Sequence, residues 1–588
     1  MTDVAKRDLI AQWAFDTRPV LLRFHLWLED VEVERAQAEP VSAHTFAPRG
    51  IARCLAMTSA ATALGTRLFG EYGGGKGQDK VTVNQVKKAA DAVSAYVMSE
   101  GLWHLTRTLP ENHALMVCLG EGLMPKAGET PEMGANPMLG FGRVYARPEL
   151  ARTVDRRVRR LLNEPGHTFE QFYEWLQGRG ITLWGAAVDT LENTSRFADG
   201  QPTGPMSVLH LFDAPLRLAR PYESYMGCLT VPTRVTQAAE QASVLLDYRT
   251  PRELVVEAIE AAYPGIRRDN IHVWTLRGKS RVHRLGRLWA EWEKAGVHLV
   301  EDDWRAPSGL AVFTDSGTYA PTFLVGSWTD GGATHVFLCD GYAATAEAMQ
   351  AASLSDVLDV HSTMSLFTPS FELPADVEGR VMQLDPAAPD LGERLKALIG
   401  GRDVDAGKVR TYADAIEDAV TSNLPLGKLA LRADDLLPDK DWSVLASIGY
   451  MCDDPYTGTS GVTQVADRVY RVTTRLATRK ASSVVTFTLR LMEPFEAARQ
   501  VFSPLLVRFL SGVDHTTRPV KISDSGRIRN ELQTMIPQAL EHASDRIRVR
   551  FERINEMVLS PDKQARIREV LAWYKANHPV WFDWLDLA

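Results

Sequence analysis

Thr322-Phe323-Leu324-Val325-Gly326-Ser327-Trp328-Thr329-Asp330-Gly331-Gly332-Ala333-Thr334-His335-Val336-Phe337-Leu338-Cys339-Asp340-Gly341 sets two apolar runs on either side of an Asp-Gly-Gly turn. Short apolar runs bounded by glycine turns are the mark of β-hairpins. With the run Leu310–Thr314 and its own Asp315-Ser316-Gly317 turn upstream, the passage reads as a three-stranded β-meander. Strands one and three of a meander run in the same direction, so Asp315 and Asp340 emerge at one sheet edge, roughly 10 Å apart at the backbone. The next residues, Gly341 to Met349, are rich in alanine and read as a helix whose first N–H groups face the same edge. A strand, Asp-Gly, helix junction of this kind is a ligand site. It assigns Asp315 and Asp340 acid/base or Mg²⁺-holding roles and makes Thr345 a substrate contact.

Outward from this passage the same texture continues. Runs at Val208–Phe212, Val244–Leu246, Ile271–Leu276 and Val297–Val300 alternate with helical periodicity at Pro251–Tyr263 and Val282–Ala295, which is sheet-domain material over residues 201–371. Residues 1–200 read as a mainly helical region with a Gly-rich loop. Residues 372–588 read as a mixed region with a β-hairpin over Arg468–Leu491 and a helical C-terminus ending in Trp581-Phe582-Asp583-Trp584. The predicted fold class is therefore mixed α/β (α+β): a helical N-terminal region, a central sheet domain, a second β-containing region and a helical end.

The glycine loop Gly70-Glu71-Tyr72-Gly73-Gly74-Gly75-Lys76-Gly77-Gln78-Asp79-Lys80 has the spacing of a phosphate loop through Gly75-Lys76, but Gly77 replaces the hydroxyl that would hold Mg²⁺. Consecutive glycines leave N–H groups to face an anion, so Gly74, Gly75, Lys76 and Lys80 are candidate substrate-binding residues. His113, between the Glu111-Asn112 turn and the apolar run Ala114–Leu119, is a candidate general base. Asp302 and Asp303, after the run Val297–Val300, are candidate oxygen ligands for a hard cation such as Mg²⁺. Among the 14 histidines no H-E-x-x-H or H-x-H pair occurs, although His335 lies in the strand leading to Asp340.

Composition narrows the function classes. Across 588 residues, 66 Lys and Arg face 74 Asp and Glu, a net charge of −8, so the basic stripe of a nucleic-acid binder is missing. The five cysteines lack the close spacing of zinc or iron–sulfur sites, and no fingerprint of a nicotinamide or flavin cofactor is present. No segment has 18 consecutive apolar residues and no secretory signal is legible, so no membrane partner and a cytoplasmic location are expected. The expected function is a soluble metabolic enzyme acting on a small anionic substrate, phosphorylated molecules included, with Mg²⁺ as the candidate ion and the reaction class open. The alternative is a non-catalytic assembly protein that self-associates, as a homo-oligomer, through its aromatic C-terminus.

Overall fold

The computed structural model describes residues 26–35, 51–120 and, with internal gaps, 139–491. Strand β1 (Leu26–Arg35) is followed by helices α1 (Ile51–Phe69) and α2 (Lys80–Thr108). Then come β2 (His113–Gly120), β3 (Val144–Ala146), α3 (Pro148–Asn163), α4 (Phe169–Gly178), β4 (Thr182–Glu192), α5 (Thr194–Ala198) and β5 (Met206–Phe212). The middle of the chain forms β6 (Tyr225–Pro232), α6 (Thr233–Gln241), α7 (Arg252–Ala262), β7 (Ile271–Trp274), α8 (Val282–Lys294) and β8 (His298–Leu299). A short helix α9 (Tyr319–Thr322) leads into β9 (Gly326–Asp330), β10 (Ala333–Ala344) and β11 (Val360–Leu366). Last are α10 (Leu391–Ile399), β12 (Ala430–Leu431), β13 (Val444–Tyr450), β14 (Thr463–Ala466), β15 (Val469–Thr478) and β16 (Ser482–Leu491).

These elements make an α+β fold with two mixed sheets. One runs β1-β16-β15-β13-β5-β4-β2-β3 with β14 on β15, and the other β12-β11-β6-β10-β7-β8 with β9 on β10. Helix α1 lies on the first sheet. The Ser447 hydroxyl of β13 donates to the Leu55 carbonyl at 3.2 Å, and a Cβ at Gly449 would stand 2.0 Å from the Ser59 carbonyl oxygen. Arginines tie the two halves: the Arg196 guanidinium sits 3.5 Å from the Phe313 ring centroid and that of Arg475 4.7 Å from Phe323. One hydrophobic core runs through both sheets, and a small satellite core gathers Val381, Leu395, Tyr412 and Ile416.

The glycine turn at Gly331-Gly332 does join two antiparallel strands, β9 and β10, and the hairpin β15–β16 pairs over Val469 to Leu491. The rest of the expected meander is different. Residues 312–314 are not a strand: Val312 donates to the Trp304 carbonyl, and the Phe313 carbonyl accepts from the Trp274 indole at 2.7 Å. Residues 322–325 form a turn closed by Leu324 N–H to Pro321 and Val325 N–H to Thr322. The sheet partners of β10 are instead β7, which is parallel to it, and β6. Parallel neighbours need a crossover element, which α8 supplies between β7 and β8.

Two further features add to this. The mainly helical N-terminal region also contributes β1, which pairs antiparallel with β16 along Leu26 to Arg35. The chain does not fill the sheets in sequence order. Strands β2 to β5 share a sheet with β13 to β16, so the divisions at 200 and 371 cut through one sheet. The C-terminal segment carrying Trp581 and Trp584 lies outside the described residues.

Candidate functional site

Asp340 is not at a strand end. Gly341 to Ala344 continue β10 because they pair with Cys228 to Tyr225 of β6, so the expected helix does not begin there. The two-residue alternation of a strand puts Asp340 under α7 and α8. Arg252 of α7 donates from Nε and Nη2 to its two carboxylate oxygens at 2.8 and 2.9 Å, and the Trp292 indole of α8 donates at 2.7 Å. Burial pushes the Asp340 carboxyl up, while Arg252 and the Trp292 hydrogen bond pull it back toward the ionised form. With 0% exposure, this carboxylate fastens two helices to the central strand and faces no cleft. Asp315 and Thr345 lie outside the described residues.

The glycine loop is also internally engaged. Gly73 N–H donates to the Phe197 carbonyl, Gly75 N–H to Ala198, Gly74 N–H to Glu71, Lys76 N–H to Gly73 and Gln78 N–H to Gly75. Those groups are therefore not left to face an anion, contrary to the reading of the sequence. Glycine is needed for close approach: Gly73 and Gly200 both have positive φ, 78° and 68°, and a Cβ on Gly200 would lie 2.9 Å from Gly73 Cα. The loop ends at Asp79, whose Oδ1 caps α2 by accepting from Val81 and Thr82 N–H. These hydrogen bonds hold its carboxyl below the usual range. Lys76 and Lys80 are exposed, and Gly74 is exposed beside the buried Gly75.

His113 opens β2, half-buried, with Nδ1 accepting from the Trp184 indole at 3.1 Å, and burial lowers its pKa. Asp302 Oδ1 accepts from the Thr314 N–H and hydroxyl at 2.7 and 2.6 Å. Asp303 takes a left-handed φ of 64° and donates its N–H to Val312. The two aspartates thus close the 302–314 loop. Among the described residues no group of three His, Cys, Asp or Glu side chains is arranged to hold a metal ion.

What that loop carries is the more informative feature. Strand register sets His298 of β8 beside His272 of β7, and His272 beside Phe337 of β10. His335 lies two residues from Phe337 on the same face, opposite Trp328 of β9. Registered neighbours share a face, which is the face away from Asp340. The result is a chain of three imidazoles: His272 Nδ1 to His298 Nδ1 at 2.7 Å, and His272 Nε2 to His335 Nδ1 at 3.0 Å. The rings of His272 and His335 lie within 6° of one plane, the geometry of an in-plane N–H···N hydrogen bond. Trp328 stacks on both of these rings, and Trp304, delivered by the 302–314 loop, lies 5.0 Å from the His272 centroid. The two nitrogens of His272 point to different partners, so the three rings do not converge on a single point.

Burial, and then the neighbouring His298 and His335, depress the His272 pKa to about 4, against an upward pull from Asp269. Burial and Arg277 lower that of His298, against Glu301. Near neutral pH His272 is therefore neutral, with one N–H and one bare nitrogen, the state required to transmit a proton. His335 was legible from its place before Asp340. His272 and His298 sat unremarked in the runs 271–276 and 297–300. The available signal was that each run carries one histidine between apolar neighbours, in the same alternating phase.

No protein-family model and no curated protein matches this chain.

Proposed function

We propose that the protein is an enzyme that performs proton transfer on a small anionic molecule, with the His298–His272–His335 chain as its acid–base element. The observation that carries this reading is the pair of nitrogen–nitrogen hydrogen bonds, 2.7 and 3.0 Å, through one buried imidazole. Imidazole is the side chain whose ordinary pKa allows it to take and give protons near neutrality. His298 and His335, both half-buried, flank the buried ring and offer the route to a substrate. Arg277 lies within electrostatic reach of His298 and supplies positive charge of the sign an anionic substrate requires.

The test is a thermal-shift screen of the full-length protein against sugar phosphates, nucleotides and small organic acids, with His335→Gln and Lys76→Ala beside the wild type. A ligand at 100 times its Kd adds about 2.7 kcal/mol of stability. The expected result is a shift by one class of anion that His335→Gln abolishes and Lys76→Ala leaves unchanged. A flat panel, or a shift lost only in Lys76→Ala, would overturn the assignment, the latter returning the site to the glycine loop.

A further inference from the structure

We propose that the three imidazoles work as one unit that conducts a single proton and must return it, so that the chemistry at this site takes a proton from a substrate and later gives one back, as in isomerisation or addition–elimination. The inference rests on the reading of the site as an acid–base element and specifies its reaction class.

The argument is one of hydrogen counting. Each of the two nitrogen–nitrogen contacts holds one hydrogen, and a neutral His272 owns only one N–H. The chain is therefore ordered in one of two senses. In the first, His335 Nδ1–H donates to His272 Nε2, His272 Nδ1–H donates to His298 Nδ1, and His298 keeps its Nε2–H, leaving His335 Nε2 bare. When a substrate X–H gives its proton to His335 Nε2, the X–H bond breaks and its electron pair stays on X. The Nδ1 proton of His335 passes to His272 Nε2, the Nδ1 proton of His272 passes to His298 Nδ1, and the Nε2 proton of His298 leaves to water. One proton enters and one leaves.

The chain then stands in the second sense, reversed throughout. Another proton cannot follow in the same direction until the order is restored. Restoration by turning the rings is obstructed, because Trp304 and Trp328 lie against His272 with centroids 5.0 and 5.4 Å away, and a turn breaks both hydrogen bonds. The remaining way back is a proton passing in the opposite direction, in at His298 and out from His335 Nε2–H onto the substrate.

The charged groups facing the chain are Asp269, which pulls the His272 pKa upward and is engaged by Arg267, and Glu301 and Arg277, which act in opposite directions on His298. A second proton on His272 makes it a donor to both neighbours, so the unit holds one extra proton at its centre, and charges on the outer rings oppose it.

The test uses the full-length protein with ¹⁵N-labelled histidine rings at pH 7, as wild type, His272→Gln and His272→Phe. Glutamine keeps one donor and one acceptor but carries no proton across; phenylalanine keeps the aromatic packing. In the wild type the ring nitrogens of all three histidines are expected to show averaging between both tautomers. In either variant the outer rings are expected to settle into single tautomers. The remaining histidine signals report whether each variant folds, and if neither does, the wild-type spectrum decides. A wild type fixed in one tautomeric order would overturn the relay. That outcome leaves the ligand screen to judge the acid–base reading, whereas a flat ligand screen with averaged tautomers would retain the coupled chain and remove the substrate.

Discussion

Arg252 and Asp340, 88 residues apart in the chain, form a two-pronged ion pair closed over by Trp292, with side-chain exposures of 3% and 0%. Its location explains its role. Arg252 is the first residue of α7, Asp340 lies near the middle of β10, and Trp292 belongs to α8, so one carboxylate sets the position of both helices on the sheet. Removing one partner of such a pair leaves the other charge buried and alone, at a cost of about 3–5 kcal/mol, whereas an apolar pair of similar volume restores much of the loss. Asp340→Ala is therefore expected to lower unfolding stability by about that amount, and Arg252→Met with Asp340→Leu to recover most of it. Urea denaturation of the three proteins checks this. An Asp340→Ala protein as stable as wild type would return Asp340 to the list of functional carboxylates.

The glycine loop makes a contrasting prediction. Gly200 has a φ of 68° and its Cα side faces Gly73 at van der Waals range, so Gly200→Ala combines left-handed strain with a backbone contact. Together these are expected to cost about 1–3 kcal/mol. Lys76 is exposed, and Lys76→Ala is expected to change stability by less than about 0.5 kcal/mol. Thermal melts distinguish the two roles. A strong loss in Lys76→Ala with a silent Gly200→Ala would show the loop to be organised by its lysine instead of by backbone packing.

The contrast between these residues shows how much could be read in advance. Local signals were legible: the turn at Gly331-Gly332, the hairpin of β15 and β16, and the helices that became α7 and α8 all follow from nearest-neighbour chemistry. Asp340 was misplaced because an Asp-Gly pair signals a turn, while the partners that override it, β6, Arg252 and Trp292, come from segments up to 119 residues away by strand pairing, Ala344 with Tyr225. The glycine loop was misread because a glycine cluster looks the same whether its N–H groups face a ligand or, as here, the carbonyls of Phe197 and Ala198. The histidine chain escaped notice for the same reason. His272, His298 and His335 meet only through the register of three strands, two of which are parallel neighbours joined by a crossover, and long-range parallel register leaves little trace in a local pattern.

The buried imidazoles should also set how stability responds to acid. His210, with 0% exposure in β5, has its pKa pushed down by burial to about 3, and His272 to about 4. In the unfolded chain both return to the ordinary value near 6.5. At pH 5 the unfolded state therefore binds protons on both rings that the folded state refuses, so stability is complete above about pH 6.5 and declines as pH falls toward 4. Each such histidine contributes a slope of about 1.4 kcal/mol per pH unit inside that window. His272→Gln removes one titrating ring while keeping a donor and an acceptor, so its stability at pH 5 should fall less, relative to pH 7, than that of the wild type. Urea midpoints at pH 5, 6 and 7 measure the difference. Parallel pH dependences in the two proteins would mean that His272 carries its proton in the folded state, with His298 and His335 both accepting from an imidazolium at the centre of the chain.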